Sequence, residues 1–174
     1  MAFQKGENPN HPSLGSTIRG EPIRDKKAIK RIKKQLQDNP RDLCLFTLGI
    51  NTAYRANELL SIRIGQERYL QPGAHLNLQQ RKTKKFRPVK LNQSAYQAIQ
   101  GLLQWLDRDE STVNEDAPLF MGQRGLLTVS TVSKMTKTWC RNVGLKGNYG
   151  SHSLRKTWGY WQRIERGTAI PLLM

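Results

Sequence analysis

Two short stretches of this chain carry side chains that could handle a phosphate. The first is Ser151-His152-Ser153-Leu154-Arg155-Lys156-Thr157. On a helix, His152 and Arg155 lie three residues apart and share a face. The second is Thr52-Ala53-Tyr54-Arg55-Ala56-Asn57-Glu58-Leu59-Leu60, with Arg55 at the mouth of a helix and a carboxylate three residues on. Transfer of a phosphodiester passes through a crowded, doubly negative, phosphorane-like state. It needs fixed positive donors on the non-bridging oxygens, an acid for the leaving oxygen and a nucleophile in line. Arginine suits the first task, being always charged and able to offer two parallel donors. Arg55 and Arg155 are therefore the candidate clamp. His152 can hydrogen-bond the phosphate or accept the nucleophile's proton. Lys82, in the basic turn Lys82-Thr83-Lys84-Lys85, is an ammonium that could protonate a leaving hydroxyl. Glu58 could orient an active-site side chain. Plainer roles stand beside these: an Arg55–Glu58 surface pair, a structural salt bridge for Arg155, a helix cap for His152 and a solvated lysine turn. His11 and His75 read as bystanders.

The charge balance says what such a clamp would hold. The 174 residues include 29 Lys and Arg against 13 Asp and Glu, a formal net charge of +16. Residues 107–116 carry a net charge of −4, which leaves about +20 on the remainder. That polarity predicts one basic face for a polyanion, with an acidic loop elsewhere. Solubility alone does not call for such an excess. No apolar run reaches membrane-spanning length, and Met1-Ala2-Phe3-Gln4-Lys5 lacks the apolar core of a signal peptide. Cys44 and Cys140 form no CxxC and sit in apolar contexts, so both read as reduced core thiols of a cytoplasmic protein without a metal site.

The elements that must position these residues are mostly helices. Residues 1–24, rich in Gly, Pro, Asn and Ser, read as a flexible N-terminal arm, and one domain follows over 25–174. Asp25 would cap a helix with Ile29, Ile32 and Leu36 on one face and Lys26, Lys27, Lys30, Arg31, Lys33 and Lys34 on the other. The basic face either meets the backbone of a polyanion or is simply solvated. Pro40 opens the next helix, whose apolar run to Ile50 predicts burial. A short helix spans about 56–62. An exposed strand over 75–80 and a returning strand over 86–91 form a hairpin around the lysine turn, with Pro88 at an edge or bulge. Asn92 caps a helix through Trp105, Ser130 starts another that Gly144 ends, and His152–Arg155 lie on one that stops near Gly167. A last helix begins near Ile170. The fold class expected is mainly α with a small antiparallel β-hairpin.

In these motifs the chain resembles the tyrosine recombinases, the phage integrase family. Their first motif, Thr-Gly-(Leu/Met)-Arg-x-x-Glu-Leu, stands here as Thr52-Ala53-Tyr54-Arg55-Ala56-Asn57-Glu58-Leu59. Their hairpin lysine sits in a Lys-Thr-x-Lys turn, here Lys82-Thr83-Lys84-Lys85, followed by Arg87-Pro88-Val89. Their second motif, His-x-Leu-Arg-(His/Arg/Lys)-(Thr/Ser), is His152-Ser153-Leu154-Arg155-Lys156-Thr157. Three motifs in order over residues 25–174 make the match specific where each alone is weak.

The resemblance implies an integrase-type catalytic domain of a mobile genetic element. Its reaction would be cleavage and rejoining of double-stranded DNA by transesterification, with self-association on DNA in the full-length form. Arg55, Lys82, His152 and Arg155 would be catalytic, and Lys84, Lys85, Arg87 and Lys156 would contact DNA. No cofactor is implied, because a phosphotyrosine link conserves the bond energy. Two departures stand out. Ala53 and Tyr54 replace a Gly and a small aliphatic residue, which the fold tolerates if Tyr54 packs into the core. The Gly-His or Gly-Trp box and the nucleophilic Tyr that follow the second motif in the family would lie past Met174, so this chain alone is expected to be inactive. Tyr160, on the His152 helix, reads as a packing residue. Two other classes compete with the enzyme: a non-catalytic DNA-binding remnant or regulator of the same fold, and an unrelated basic RNA- or ribosome-binding protein.

Overall fold

The computed structural model describes residues 20–80, 83–108, 114–123 and 125–169. The first helix, α1 (Lys26–Gln35), starts where Asp25 accepts the Lys27 N–H at 2.7 Å. Lys33 and Lys34 complement its C-terminal dipole. It buries Ala28 and Ile32, with Leu36 at its C-cap. The basic face is only partly free. Lys26 pairs with Glu165 and lies over the Trp161 ring, Arg31 pairs with Asp25, and Lys33 donates to Ser94 at 2.9 Å. Lys27, Lys30 and Lys34 remain exposed.

The second helix, α2 (Pro40–Asn51), has Asn39 as its cap and Pro40 at its first turn. Every residue from Cys44 to Gly49 is buried, as its all-round apolar sequence demands. It forms the hub of the domain, packing on α5 (Gln93–Leu106) and α7 (Ser151–Arg166). Gly49 permits the second contact: a Cβ there would lie 2.7 Å from Leu154 Cδ1 and 2.9 Å from Leu154 Cβ. Gly49→Ala should therefore destabilise the domain by about 1–3 kcal/mol in urea unfolding, the range for overpacking a close-fitted core. Helix propensity alone predicts the opposite sign, a gain of about 1 kcal/mol, so a stabilised variant would show that Leu154 moves freely.

Two short helices follow, α3 (Ala56–Leu59) and α4 (Ile64–Arg68). The hairpin of β1 (His75–Gln79) and β2 (Phe86–Lys90) is antiparallel, with Leu76 opposite Val89 and Leu78 opposite Arg87. Leu76 and Leu78 are buried, so β1 is half-buried rather than exposed. Pro88 stands opposite Asn77 in a two-stranded ladder, where a missing N–H is tolerated. Asn92 caps α5 through the Ala95 N–H, as its position before the apolar pattern predicts. A second small hairpin, β3 (Met121–Gly122) with β4 (Gly125–Leu126), occupies what reads in the sequence as a simple turn. Then α6 (Val129–Asn142) runs from a Thr128 cap, two residues earlier than a Ser130 start implies. Its Trp139 meets Phe46 of α2 edge to face at 5.8 Å. Gly167, at φ +62°, ends α7. The expected helix near Ile170 and half of the acidic loop, residues 109–113, lie outside the described residues. Among the acids at the loop's ends, Asp107 and Glu115 both engage Arg68 of α4.

Residues 20–24 are docked, not free. Ile23 is fully buried, its N–H donates to Thr157 Oγ1 at 2.8 Å, and its carbonyl accepts from Trp161 Nε1 at 3.1 Å. The packed body therefore begins by Gly20 rather than at residue 25. Cys44 and Cys140 are free, buried thiols, and burial raises the pKa of both. No helix among the described residues is long and apolar enough to cross a membrane, and no cluster of metal-ligating side chains occurs among them.

Candidate active site

The site grows from the turn that ends α2. Thr52 caps that helix by donating Oγ1–H to the Leu48 carbonyl at 2.8 Å. Ala53 then takes φ +43°, a left-handed conformation that glycine adopts without cost. Tyr54 turns inward and is 1 % exposed. Its hydroxyl lies between the carbonyls of Leu76 and Arg87, at 2.7 and 2.5 Å, tying both strands of the β1–β2 hairpin to the turn. The packing that this substituted motif requires is thus present. Burial pushes the Tyr54 phenol up to about 12.

Arg55 is the N-cap residue of α3. Its N–H donates to Glu58 Oε2 at 2.7 Å and its Nη1 to Glu58 Oε1 at 3.0 Å. The Glu58 side chain is 1 % exposed, while that of Arg55 is 42 % exposed. A carboxylate so buried needs compensation on every side. The rest comes from Arg87 of β2, whose Nη2 lies 3.3 Å from Glu58 Oε2 and donates to the Ala53 carbonyl at 2.9 Å. The Arg87 guanidinium also stacks over the Tyr54 ring, 4.5 Å from its centroid. Arg55 therefore presents a partly exposed guanidinium held by one buried carboxylate, that of Glu58.

Helix α7 brings in the second motif. Gly150 opens it, its N–H bonded to Ser153 Oγ at 3.0 Å, and a Cβ there would sit 2.7 Å from Ser133 Oγ. His152 is exposed in the first turn, and Arg155 follows one turn later, half-buried. Burial lowers the Arg155 pKa, and the like charges of Arg55 and then Arg87 lower it further, against a raising influence of Glu58. Three guanidinium groups thus gather within electrostatic reach of one carboxylate. Arg155 itself lies in the N-terminal half of a sixteen-residue helix. Such a cluster, with one carboxylate among three guanidiniums, gains from an added anion.

The other expected residues divide. Lys82 lies outside the described residues. Lys84, at φ +57°, and Lys85 are exposed in the hairpin turn, which is braced by Gln79 Nε2 on the Lys84 carbonyl at 2.9 Å. The Lys156 ammonium donates to the Gly20 carbonyl at 2.7 Å, so it pins the docked N-terminal segment. Tyr160 packs edge to face on Trp161 at 5.1 Å, under the Arg24 guanidinium. It stands five residues past Arg155, about 7.5 Å along the helix and about 140° around it. Glu67 was not singled out in the sequence: it is fully buried, and neither carboxylate oxygen finds a hydrogen-bond partner among the described residues. A cavity of about 530 Å³ between the start of α2 and the end of α5, lined by Trp105, Leu106, Pro118 and Met121, contains no clamp residue.

Comparison with known proteins identifies the family and the fold. Residues 23–170 match the phage integrase family. The chain is 30% identical over 143 residues to the probable integrase/recombinase YoeC of Bacillus subtilis (strain 168), covering 80% of this chain and 73% of that protein. In fold it is similar to XerA recombinase (TM-score 0.65, 19% identity, 95% of this chain and 55% of that one). It is also similar to XerH site-specific recombinase solved bound to its difH substrate (TM-score 0.68, 21% identity, 90% and 46%). The lambda integrase catalytic core is matched more fully, over 84% of this chain and 85% of that one, with TM-score 0.62 and 16% identity. The chain spans about half the length of the XerA and XerH chains. It belongs to the phage integrase family, and its fold is that of the tyrosine recombinase catalytic domain.

Proposed function

We propose that this domain binds double-stranded DNA and clamps one phosphodiester for strand cleavage and rejoining by transesterification. The observation that carries the proposal is the convergence of Arg55 and Arg155 near buried Glu58, with His152 one turn before Arg155. In the reaction a tyrosine oxygen forms a bond to phosphorus, the bond to the leaving 5′ oxygen breaks, and a proton goes to that oxygen. Arg55 and Arg155 hold the non-bridging oxygens, where negative charge grows. His152 donates to the phosphate or takes the tyrosine's proton. Lys82, carried by the hairpin, gives the leaving oxygen its proton. Lys84 and Lys85 meet the DNA backbone beside it.

Tyr160 is packed away from this arrangement, so the 174 residues by themselves bind DNA without cleaving it. That separates this reading from a displaced nucleophile and keeps a DNA-binding regulator of the same fold as the second reading. Two measurements test it. Duplex affinity should fall steeply with salt, because phosphate contacts release counterions, with a slope of about −0.9 per phosphate neutralised. A nicked suicide duplex should give no covalent adduct on a denaturing gel with residues 1–174, and a 3′-phosphotyrosine adduct if the attacking tyrosine is supplied. Salt-insensitive binding would sink the DNA reading, and an adduct from the 174 residues would move the nucleophile to a tyrosine among them.

A further inference from the structure

Arg87 follows the lysine turn in sequence and reads there as one more DNA contact, but its surroundings are those of an internal counter-ion. Its Nη2 is shared between the Glu58 carboxylate and the Ala53 carbonyl, at 3.3 and 2.9 Å. Its plane covers Tyr54, and its own carbonyl faces the Tyr54 hydroxyl. Its Nε is buried without a hydrogen-bond partner among the described residues. Its side chain is 26 % exposed, but its Nη2 and one face of its guanidinium are engaged inward. The charge count explains what it does instead. Glu58 bonds both the N–H and the Nη1 of Arg55, so a lone Arg55–Glu58 pair would cancel the charge that the clamp needs. With Arg87 also on that carboxylate, Arg55, Arg87 and Arg155 against Glu58 leave two net positive charges. That equals the charge of a doubly negative transition state.

Resting on the clamp reading above, we propose that Arg87 is a positioning residue: it neutralises buried Glu58 and fastens β2 to the Ala53–Arg55 turn, so that Arg55 and Arg155 keep their charge for the phosphate. Arg87 thereby links the β1–β2 hairpin to the turn that carries Arg55. Holding the two elements in one frame is what a clamp with sub-ångström tolerance requires.

The test is a charge-compensation cycle on the 174-residue chain, read as the dissociation constant for a 30-base-pair duplex at fixed salt. The variants are Arg87→Gln and Arg155→Gln, each with and without Glu58→Gln. Arg87→Gln should weaken binding about tenfold, as loss of one effective charge at a phosphate does. Adding Glu58→Gln should then restore affinity to within about threefold of the parent, because the carboxylate that needed Arg87 is gone. Arg155→Gln should weaken binding about tenfold and stay weak when Glu58→Gln is added, since Arg155 meets the phosphate itself. Equal rescue of both pairs, or of neither, overturns the proposal and makes Arg87 an ordinary basic contact. If Arg155→Gln binds like the parent, it is the clamp reading that fails. Should Arg87→Gln alone not fold, because Glu58 is left buried and under-compensated, the two double variants still decide. The Arg87 double must then bind about tenfold tighter than the Arg155 double, and equal affinities refute the inference.

Discussion

Arg155→Ala is expected to reduce strand cleavage by about 10²–10³-fold at saturating DNA, a loss of roughly 2.7–4 kcal/mol of transition-state stabilisation, in line with removing one fixed donor from a developing oxyanion. The measurement is the single-turnover rate on a nicked duplex with the attacking tyrosine supplied. Arg55→Ala should cost a similar factor through a different route. Its backbone N–H remains on Glu58 Oε2, so the α3 start survives, but the partly exposed guanidinium is lost. Arg87 then remains on the carboxylate. Because both arginines serve one phosphate, the double variant should lose much less than the product of the two single losses. An Arg155→Ala protein that cleaves at the parent rate, or that loses activity only because it melts, would remove Arg155 from the chemistry.

Local rules made much of this domain legible before any coordinates. Asp25 and Asn92 each announced a helix start through a side chain that could accept an orphan N–H, and each accepts one, while Pro40 announced another by its fixed φ and sits at that helix's first turn. The Arg55–Glu58 and His152–Arg155 spacings announced shared faces, because three residues bring side chains to one side of a helix. What stayed hidden depends on partners far away in sequence. Gly20 to Arg24 looks like loose chain, yet one isoleucine finds a hole beside Thr157 and Trp161, and Lys156 and Asn148 bind the backbone of Gly20 and Glu21 just before it. Arg87 is indistinguishable by type from Lys84 and Lys85. Only the fold shows that β2 delivers it to Glu58, twenty-nine residues back. Helix α4 escaped notice because one of its two inward positions is a glutamate. Ile64 and Glu67 are the buried pair of a five-residue helix, and a carboxylate there erases the apolar period that would have revealed it.

That glutamate gives the domain a stability that changes with pH. Glu67 has 0 % of its surface exposed, and its two oxygens lack hydrogen-bond partners among the described residues. The ionisable groups it influences are the Cys44 thiol of α2 and the Tyr54 phenol, neither of which offers a positive charge. Burial alone therefore raises its carboxyl from 4.5 to about 7. The sign follows from proton counting. Below about pH 4.5 the folded and unfolded states both hold the proton. Between there and about pH 7 only the folded state does, so this contribution to stability falls by about 1.4 kcal/mol for each pH unit gained. Above about pH 7 the folded state carries a buried, unpaired charge and the loss is complete. Glu67→Leu removes the group. Its stability relative to the parent, from urea unfolding, should rise by roughly 3 kcal/mol between pH 4.5 and pH 8. Taking the difference between the two proteins cancels the acid-sensitive Arg–carboxylate pairs that both retain. Glu67→Gln should flatten the same pH dependence with a smaller gain, because its amide is still buried without partners. A Leu-minus-parent difference that stays constant from pH 4.5 to pH 8 would mean that Glu67 is ionised, and paired, in the folded protein. The consequence reaches the site, because Tyr54 lies within the electrostatic range of Glu67 and its hydroxyl fastens the β1–β2 hairpin. Charging Glu67 therefore loosens the fold beneath the element that carries the candidate proton donor, and hydrogen exchange at Leu76 and Leu78 should quicken with pH more in the parent than in Glu67→Leu once the intrinsic base-catalysed rate is divided out.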